Sequence, residues 1–216
     1  MKNIYIVRHG ESEGNARLVG ENDEYVIDSK IQLTTRGILQ ASYAGTKLAK
    51  TLNSNNGVVW ISPFVRTRQT ARHIINELEI RGLQYDHFED PRLVEQDFGD
   101  FDFQFYDKWE EISPHSRYIN RARYDEPEGR FFARLENGEN MLDVYNRMSL
   151  FVKTRLETSK YKENIIVTHG NASRALIMFL LNQPVEDYYY SKVPDNASIR
   201  HIIFKRGKYI DKGYIE

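Results

Sequence analysis

The chain has 216 residues, 40% of them hydrophobic and 28% charged, with a formal net charge of −1. That length suits one domain, or one domain with a modest insertion, with enough apolar residues to bury a full core. The near-neutral charge argues against nucleic acid or an anionic membrane as partner, and the lack of Cys excludes disulfides, thiolate metal sites and a cysteine nucleophile.

Met1-Lys2-Asn3 runs straight into an apolar stretch, which leaves no room for a signal peptide. No apolar run is long enough to span a bilayer, so the chain reads as a cytoplasmic protein. Ile4-Tyr5-Ile6-Val7 predicts a buried strand that breaks at Arg8-His9-Gly10. The polar stretch from Ala16 to Lys30 reads as a surface loop. Thr34 is a predicted N-cap, because its hydroxyl can accept from an unpaired first-turn N–H. Ala41, Ala44, Leu48 and Leu52 keep one face of the following helix apolar.

Val58-Val59-Trp60-Ile61 predicts a second strand, ending at Ser62-Pro63 and followed by a helix from about Val65 to Leu83. A short strand is expected near Gln84 to Phe88. The segment from Asp97 to Asn137 has no clean period and is rich in aromatics and Arg. It reads as a cap-like insertion. Met141, Val144, Tyr145, Met148, Phe151, Val152 and Leu156 recur at helical spacing, with Asn140 or a neighbour as the predicted cap. Ile165 to Thr168 predicts another buried strand, ending at His169-Gly170-Asn171 and leading into a helix through Leu181. The stretches from Ser198 to Phe204 and from Tyr209 to Tyr214 predict a hairpin around Arg206-Gly207. Strands alternating with helices imply a mainly parallel sheet covered on both faces.

Two strands share one pattern. Ile4 to Val7 ends in Arg8-His9, and Ile165 to Thr168 ends in His169. If both are parallel and central, both imidazoles emerge at the sheet edge where such folds bind ligands. Two His and an Arg there make an anion site, with His9 as nucleophile and Arg8 as its phosphate-holding neighbour. Arg66, in the first turn of its helix, projects near the same edge, where a guanidinium grips phosphate with two parallel bonds; a solvated surface Arg fits the segment equally well. Glu95 follows an apolar pair and suits protonation of a leaving oxygen and activation of water. Asp97 and Asp100 are equally eligible from the residues alone.

Arg8-His9-Gly10-Glu11-Ser12 through Asn15, Leu33-Thr34 to Gly37, Ser62 to Ala71, Leu93 to Gly99, Gly138-Glu139 and Val167-Thr168-His169-Gly170 occur in the order seen in the histidine phosphatase superfamily, the phosphoglycerate mutase-like group. The chain resembles that family over most of its length. The resemblance implies an α/β three-layer sandwich, with a central largely parallel six-stranded sheet and a small cap-like insertion at about 97–137 of a single domain spanning 1–216. It implies that His9 accepts the phosphoryl group, that Arg8, Arg66 and His169 hold it, and that Glu95 is the general acid/base. Asn15, Ser12, Asn171 and the backbone N–H of Gly170 would add substrate-binding donors. It implies no metal and no cofactor. Oligomeric state is left open, a homodimer being one option.

The resemblance divides by the fate of the phosphohistidine: a mutase returns the phosphoryl group to a sugar-acid hydroxyl, and a phosphatase gives it to water. His169-Gly170-Asn171 matches the mutase triplet, and Arg121-Ala122-Arg123 is similar to a paired-Arg substrate motif interrupted by Ala122. Phe98 stands where those mutases carry Tyr, and their Lys further on has no clear equivalent. The segments Glu95 to Gly99, Gly129 to Arg134, Asn137 to Glu139 and Asp143 to Arg147 instead resemble a plant and fungal subgroup that includes broad-range acid phosphatases. The expected function is a phosphomonoesterase for small phosphorylated metabolites. A cofactor-dependent phosphoglycerate mutase is the alternative, and a non-catalytic phospho-ligand binding protein the third reading.

Overall fold

A computed structural model of the chain describes residues 1–19, 26–52, 54–99, 129–135 and 137–216. The strands are β1 (Lys2–Arg8), β2 (Gly57–Ile61), β3 (Asp86–Glu89), β4 (Glu163–Thr168), β5 (Ile199–Lys205) and β6 (Lys208–Tyr214). They form one six-stranded sheet in the order β3-β2-β4-β1-β5-β6. The first four are mutually parallel, and the β5–β6 hairpin joins β1 antiparallel. The sheet is therefore mixed, with its parallel part at the centre and one edge.

The helices are α1 (Thr35–Thr51), α2 (Val65–Ile80), α3 (Gly129–Phe132), α4 (Met141–Phe151), α5 (Gly170–Leu181) and α6 (Asp187–Tyr190). Thr34 caps α1 as predicted, accepting from Gly37 N at 3.0 Å. Asn140 caps α4 in a reciprocal capping box with Asp143. The predicted helix to Leu156 changes character at Val152, where a single π turn runs to Leu156. There Glu157 N donates to Val152 O, and the Thr154 hydroxyl bonds Leu150 O, a side-chain competitor of the kind that disturbs regular helix pairing.

Alternation along the strands sorts the core into two layers. Ile4, Ile6, Val58, Trp60 and Ile166 face Val144, Met148, Phe151 and Leu176 of α4 and α5. Tyr5, Val7, Val59, Ile61, Ile165 and Val167 face Ala44, Leu48, Ala71 and Ile74 of α1 and α2. Each such aliphatic side chain, fully buried, stabilises the fold by about 2 kcal/mol. Helices thus cover both faces, giving the three-layer α/β sandwich. Most of the expected insertion, including Arg121 to Asp125, lies outside the described residues.

The register places the site. β1 and β4 pair with Val7 beside Val167 and Arg8 beside Thr168. His9 and His169 are the next residues on adjacent parallel strands, and His9 N donates to Thr168 O at 3.0 Å. The turn after β1 is tight because Gly10 has no Cβ: one would lie 2.3 Å from Gly37 O at the start of α1.

Candidate active site

The His9 and His169 rings meet edge to face, with centroids 5.2 Å apart. Both are buried. His9 Nδ1 lies 2.7 Å from Gly10 O. A carbonyl only accepts, so Nδ1 carries the hydrogen and Nε2 keeps its lone pair. His169 Nε2 is 2.7 Å from Ser62 Oγ, whereas its Nδ1 is buried without a partner among the described residues. Burial pushes both imidazoles well below their ordinary value. Arg66 and Arg8 add to this at His9, and Arg66, His9, Arg147 and Arg8 at His169.

The unfolded chain binds protons on these imidazoles near pH 6.5, and the folded chain does so only at lower pH. Their contribution is present above pH 6.5 and is lost as pH falls through the folded values. His169→Gln should therefore flatten the drop in urea-unfolding free energy between pH 7.5 and 5.5. An unchanged slope would refute the buried-neutral state.

The cations are positioned by neighbours. Arg8, at the end of β1, donates through Nη1 to Pro194 O at 2.6 Å, and its Nε is buried without a partner among the described residues. Burial lowers the Arg8 value, as does Arg66, against the opposing pull of Glu95 and Asp195. Arg66 enters from the first turn of α2 and is clamped by Asp28. Nη1 donates to Asp28 O at 2.7 Å and to Oδ1 at 2.8 Å, and Nη2 to Oδ2 at 3.1 Å. A buried guanidinium is held in place by that counter-ion. The surface-arginine alternative fits Arg68 instead, which pairs with Glu89 in solvent.

Glu95 sits at the N-terminus of α5. Its Oε1 accepts from Gln96 N at 2.9 Å and Ala172 N at 3.0 Å, and its Oε2 from Asn171 N at 3.2 Å. A helix N-terminus favours an anionic group, because its first N–H groups lack helical acceptors. Gly170 opens the same turn. Asp97, the other eligible carboxyl among the described residues, accepts from Gly99 N and is not among the residues that line the cavity.

That cavity, of about 200 Å³, is lined by Arg8, His9, Ser12, Gly14, Asn15, Asp28, Ile31, Arg66, Glu95 and Phe98. Ser12 and Asn15 bond reciprocally: Ser12 N donates to Asn15 Oδ1 and Asn15 N to Ser12 Oγ, both at 3.3 Å. Asn196 Nδ2 also donates to Asn15 Oδ1, at 2.9 Å. The Asn171 side chain is committed elsewhere. Its Nδ2 donates to Gln96 Oε1, and its Oδ1 accepts from Arg174 and Tyr188. Asn171 thus reaches Glu95 through its backbone alone.

Sequence reasoning assigned no role to Asp28, Ser62 or Arg147. Arg134, outside the cavity lining, pairs with Asp143 at 2.5 Å. Among the described residues, no group of His, Asp and Glu has the arrangement of a metal site, and no helix is long and apolar enough to cross a membrane.

The chain is similar to known proteins throughout. It is 33% identical to the phosphoglycerate mutase-like protein AT74 of Arabidopsis thaliana, over 92% of this chain and 64% of that protein. The chain thus spans under two thirds of that plant relative's length. Among solved structures it is similar to the α-ribazole phosphatase from Shigella flexneri, with a TM-score of 0.78 and 21% identity over 99% of this chain and 96% of that one. A mycobacterial glucosyl-3-phosphoglycerate phosphatase, solved with VO3, gives a TM-score of 0.73 and 20% identity over 98% of each chain. The family model for the histidine phosphatase superfamily (branch 1) matches residues 4–212. The chain belongs to the histidine phosphatase superfamily.

Proposed function

We propose that this chain is a phosphomonoesterase that hydrolyses small phosphate esters through a phosphohistidine on His9. The observation that carries the reading is the His9 Nδ1 bond to Gly10 O. It leaves Nε2 as an unprotonated nucleophile in a cavity that also contains Arg8 and Arg66.

In the first step Nε2 attacks phosphorus, the P–N bond forms and the P–O ester bond breaks. Glu95 gives its proton to the departing oxygen. Oε2, with a single N–H donor, is the oxygen with a lone pair left for that proton. In the second step Glu95 takes a proton from water, the hydroxide attacks phosphorus and the P–N bond breaks. Inorganic phosphate leaves, and His9 regains its lone pair. Arg8, Arg66 and His169 stabilise the equatorial oxygens. With the Ser62 O–H donating to His169 Nε2, His169 Nδ1 carries a hydrogen for a phosphoryl oxygen. Arg8 Nε supplies another donor. Asn15, its Oδ1 already engaged, offers its NH2 group, while Ser12 and the Gly170 N–H extend the cradle. Asn171 contributes by holding Glu95.

Water, not a second hydroxyl, is the acceptor on this reading. Phe98 lines the cavity, and a phenyl ring has no hydroxyl with which to hold the second phosphate of a bisphosphate intermediate. The same reading takes residues 1–216 as one catalytic domain, with 97–137 as its cap. The test is an assay over a panel of phosphometabolites that includes 3-phosphoglycerate, with and without 2,3-bisphosphoglycerate. Phosphate release across the panel with no isomer formed is the expected result. Isomer formation outpacing phosphate release would establish the mutase reading, and turnover of nothing in the panel would favour the binding-protein reading.

A further inference from the structure

Gly138-Glu139 recurs in the family pattern, yet neither residue lines the cavity. Their place in the fold links them to Arg147 on α4. The Arg147 guanidinium makes five hydrogen bonds. Nη1 donates to Arg92 O at 2.7 Å and Val94 O at 2.8 Å, and Nη2 to Glu95 O at 2.9 Å. Nε and Nη2 also form a fork onto the Glu139 carboxylate, both at 2.9 Å. Glu139 in turn holds the residues after Glu95. Its Oε2 accepts from Asp97 N at 3.0 Å, its backbone O accepts from the Gln96 amide at 2.9 Å, and its N donates to Asp97 O at 2.8 Å. The contact is so close that a Cβ on Gly138 would lie 2.7 Å from Asp97 O. Thr168 adds a bond from β4, its Oγ1 donating to Leu93 O at 2.7 Å.

We propose that Arg147, with Glu139, is a positioning residue that acts through Glu95, fixing the loop from Arg92 to Asp97 so that the carboxyl meets the leaving oxygen. The inference rests on Glu95 being the acid. Glu95 is held at two ends. The N-terminus of α5 holds its carboxylate, and Arg147 holds its backbone from the far side. The backbone carbonyls at 92, 94 and 95 point at one guanidinium, which is the one side chain with enough fixed donors to serve all three and a carboxylate. Lysine has three rotatable donors on one atom and cannot span that set. A displacement of about 1 Å at an acid that acts only in the transition state is worth up to about 100-fold in rate, so a supporting group outside the cavity controls the chemistry.

The experiment compares kcat/KM for two esters, an alkyl phosphate with a poor leaving group and a dinitrophenyl phosphate with a good one. The proteins are wild type, R147K, E139Q, E95Q and the double variant E95Q/R147K. R147K should slow the alkyl ester by about 10-fold or more and the dinitrophenyl ester by under about 2-fold. In the E95Q background it should slow neither by more than about 2-fold, because its route to the chemistry has been removed. E139Q removes the charge from the far end of the clamp, keeps the shape and should show the same leaving-group bias. It carries the test if R147K does not fold by circular dichroism. An equal R147K or E139Q effect on both esters, or the same R147K factor with Glu95 and with Gln at 95, would overturn the proposal while leaving Glu95 as the acid. If E95Q itself slows both esters equally, Glu95 is not the acid, and both readings fall together.

Discussion

His9→Ala should lower kcat/KM for an aryl phosphate by roughly 10⁴-fold or more and leave the fold in place. The nucleophile's removal eliminates the covalent route, so no residual donor set can substitute for it. The backbone around position 9 is held independently of the ring, since His9 N donates to Thr168 O and His9 O accepts from Ala197 N. The variant should keep its far-UV circular dichroism and its cooperative unfolding. An alkaline quench, which preserves the P–N bond, should trap label on the wild-type protein and none on the variant. Full activity in the variant, or equal labelling of both proteins, would refute the phosphohistidine route.

Glu95→Gln should act on the two chemical steps differently. kcat/KM covers events up to release of the leaving group. It should fall by about 10²–10⁴-fold for an alkyl ester, whose oxygen must be protonated to leave, and little for a dinitrophenyl ester. kcat includes attack of water on the phosphoenzyme, which needs the same carboxyl as base. In the variant, kcat for all good leaving groups should therefore converge on one low value. Gln keeps the side-chain shape and one of the two oxygens that accept from the α5 N–H groups, and the dinitrophenyl ester, whose departure needs no proton, reports any effect of the lost acceptor. Equal losses of kcat/KM across leaving groups would exclude Glu95 as the acid.

The parts of the site legible in the sequence were those tied to strand ends. Arg8-His9 and His169 follow apolar runs, and parallel pairing necessarily brings such ends together. Thr34 and Asn140 were legible as caps because capping chemistry is local. The plant mutase-like likeness read from Glu95 to Gly99 and Asp143 to Arg147 agrees with the AT74 match. Asp28 was not legible. It lies in a polar stretch whose only signal was exposure, and its partner Arg66 is brought to it by the packing of α2. Arg147 was not legible either, because nothing in the helical period tells which Arg meets carbonyls 52 to 55 residues away. The π turn at Val152 was invisible for a related reason, since apolar spacing continues through it. The α2 terminus falls at Ile80, short of the apolar pattern that reaches Leu83, where the chain turns toward β3.

The place of β1 in the sheet bears on how the protein is made. β1 is a central strand, and both of its neighbours, β4 and β5, come from the last third of the chain. Until β4 has been synthesised, Ile4 to Val7 have no sheet neighbour on either side, and the imidazoles of His9 and His169 belong to ends that have not met. The earlier β2–α2–β3 unit can pair locally, but the site waits for a closure across more than 150 residues, an entropic cost that comes before any contact repays it. A nascent chain stopped before Glu163 therefore has His9 and no site, together with an unpaired apolar strand of the kind that recruits chaperones or aggregates. In this fold the two imidazoles come together in one late step, when β1 is enclosed between β4 and β5.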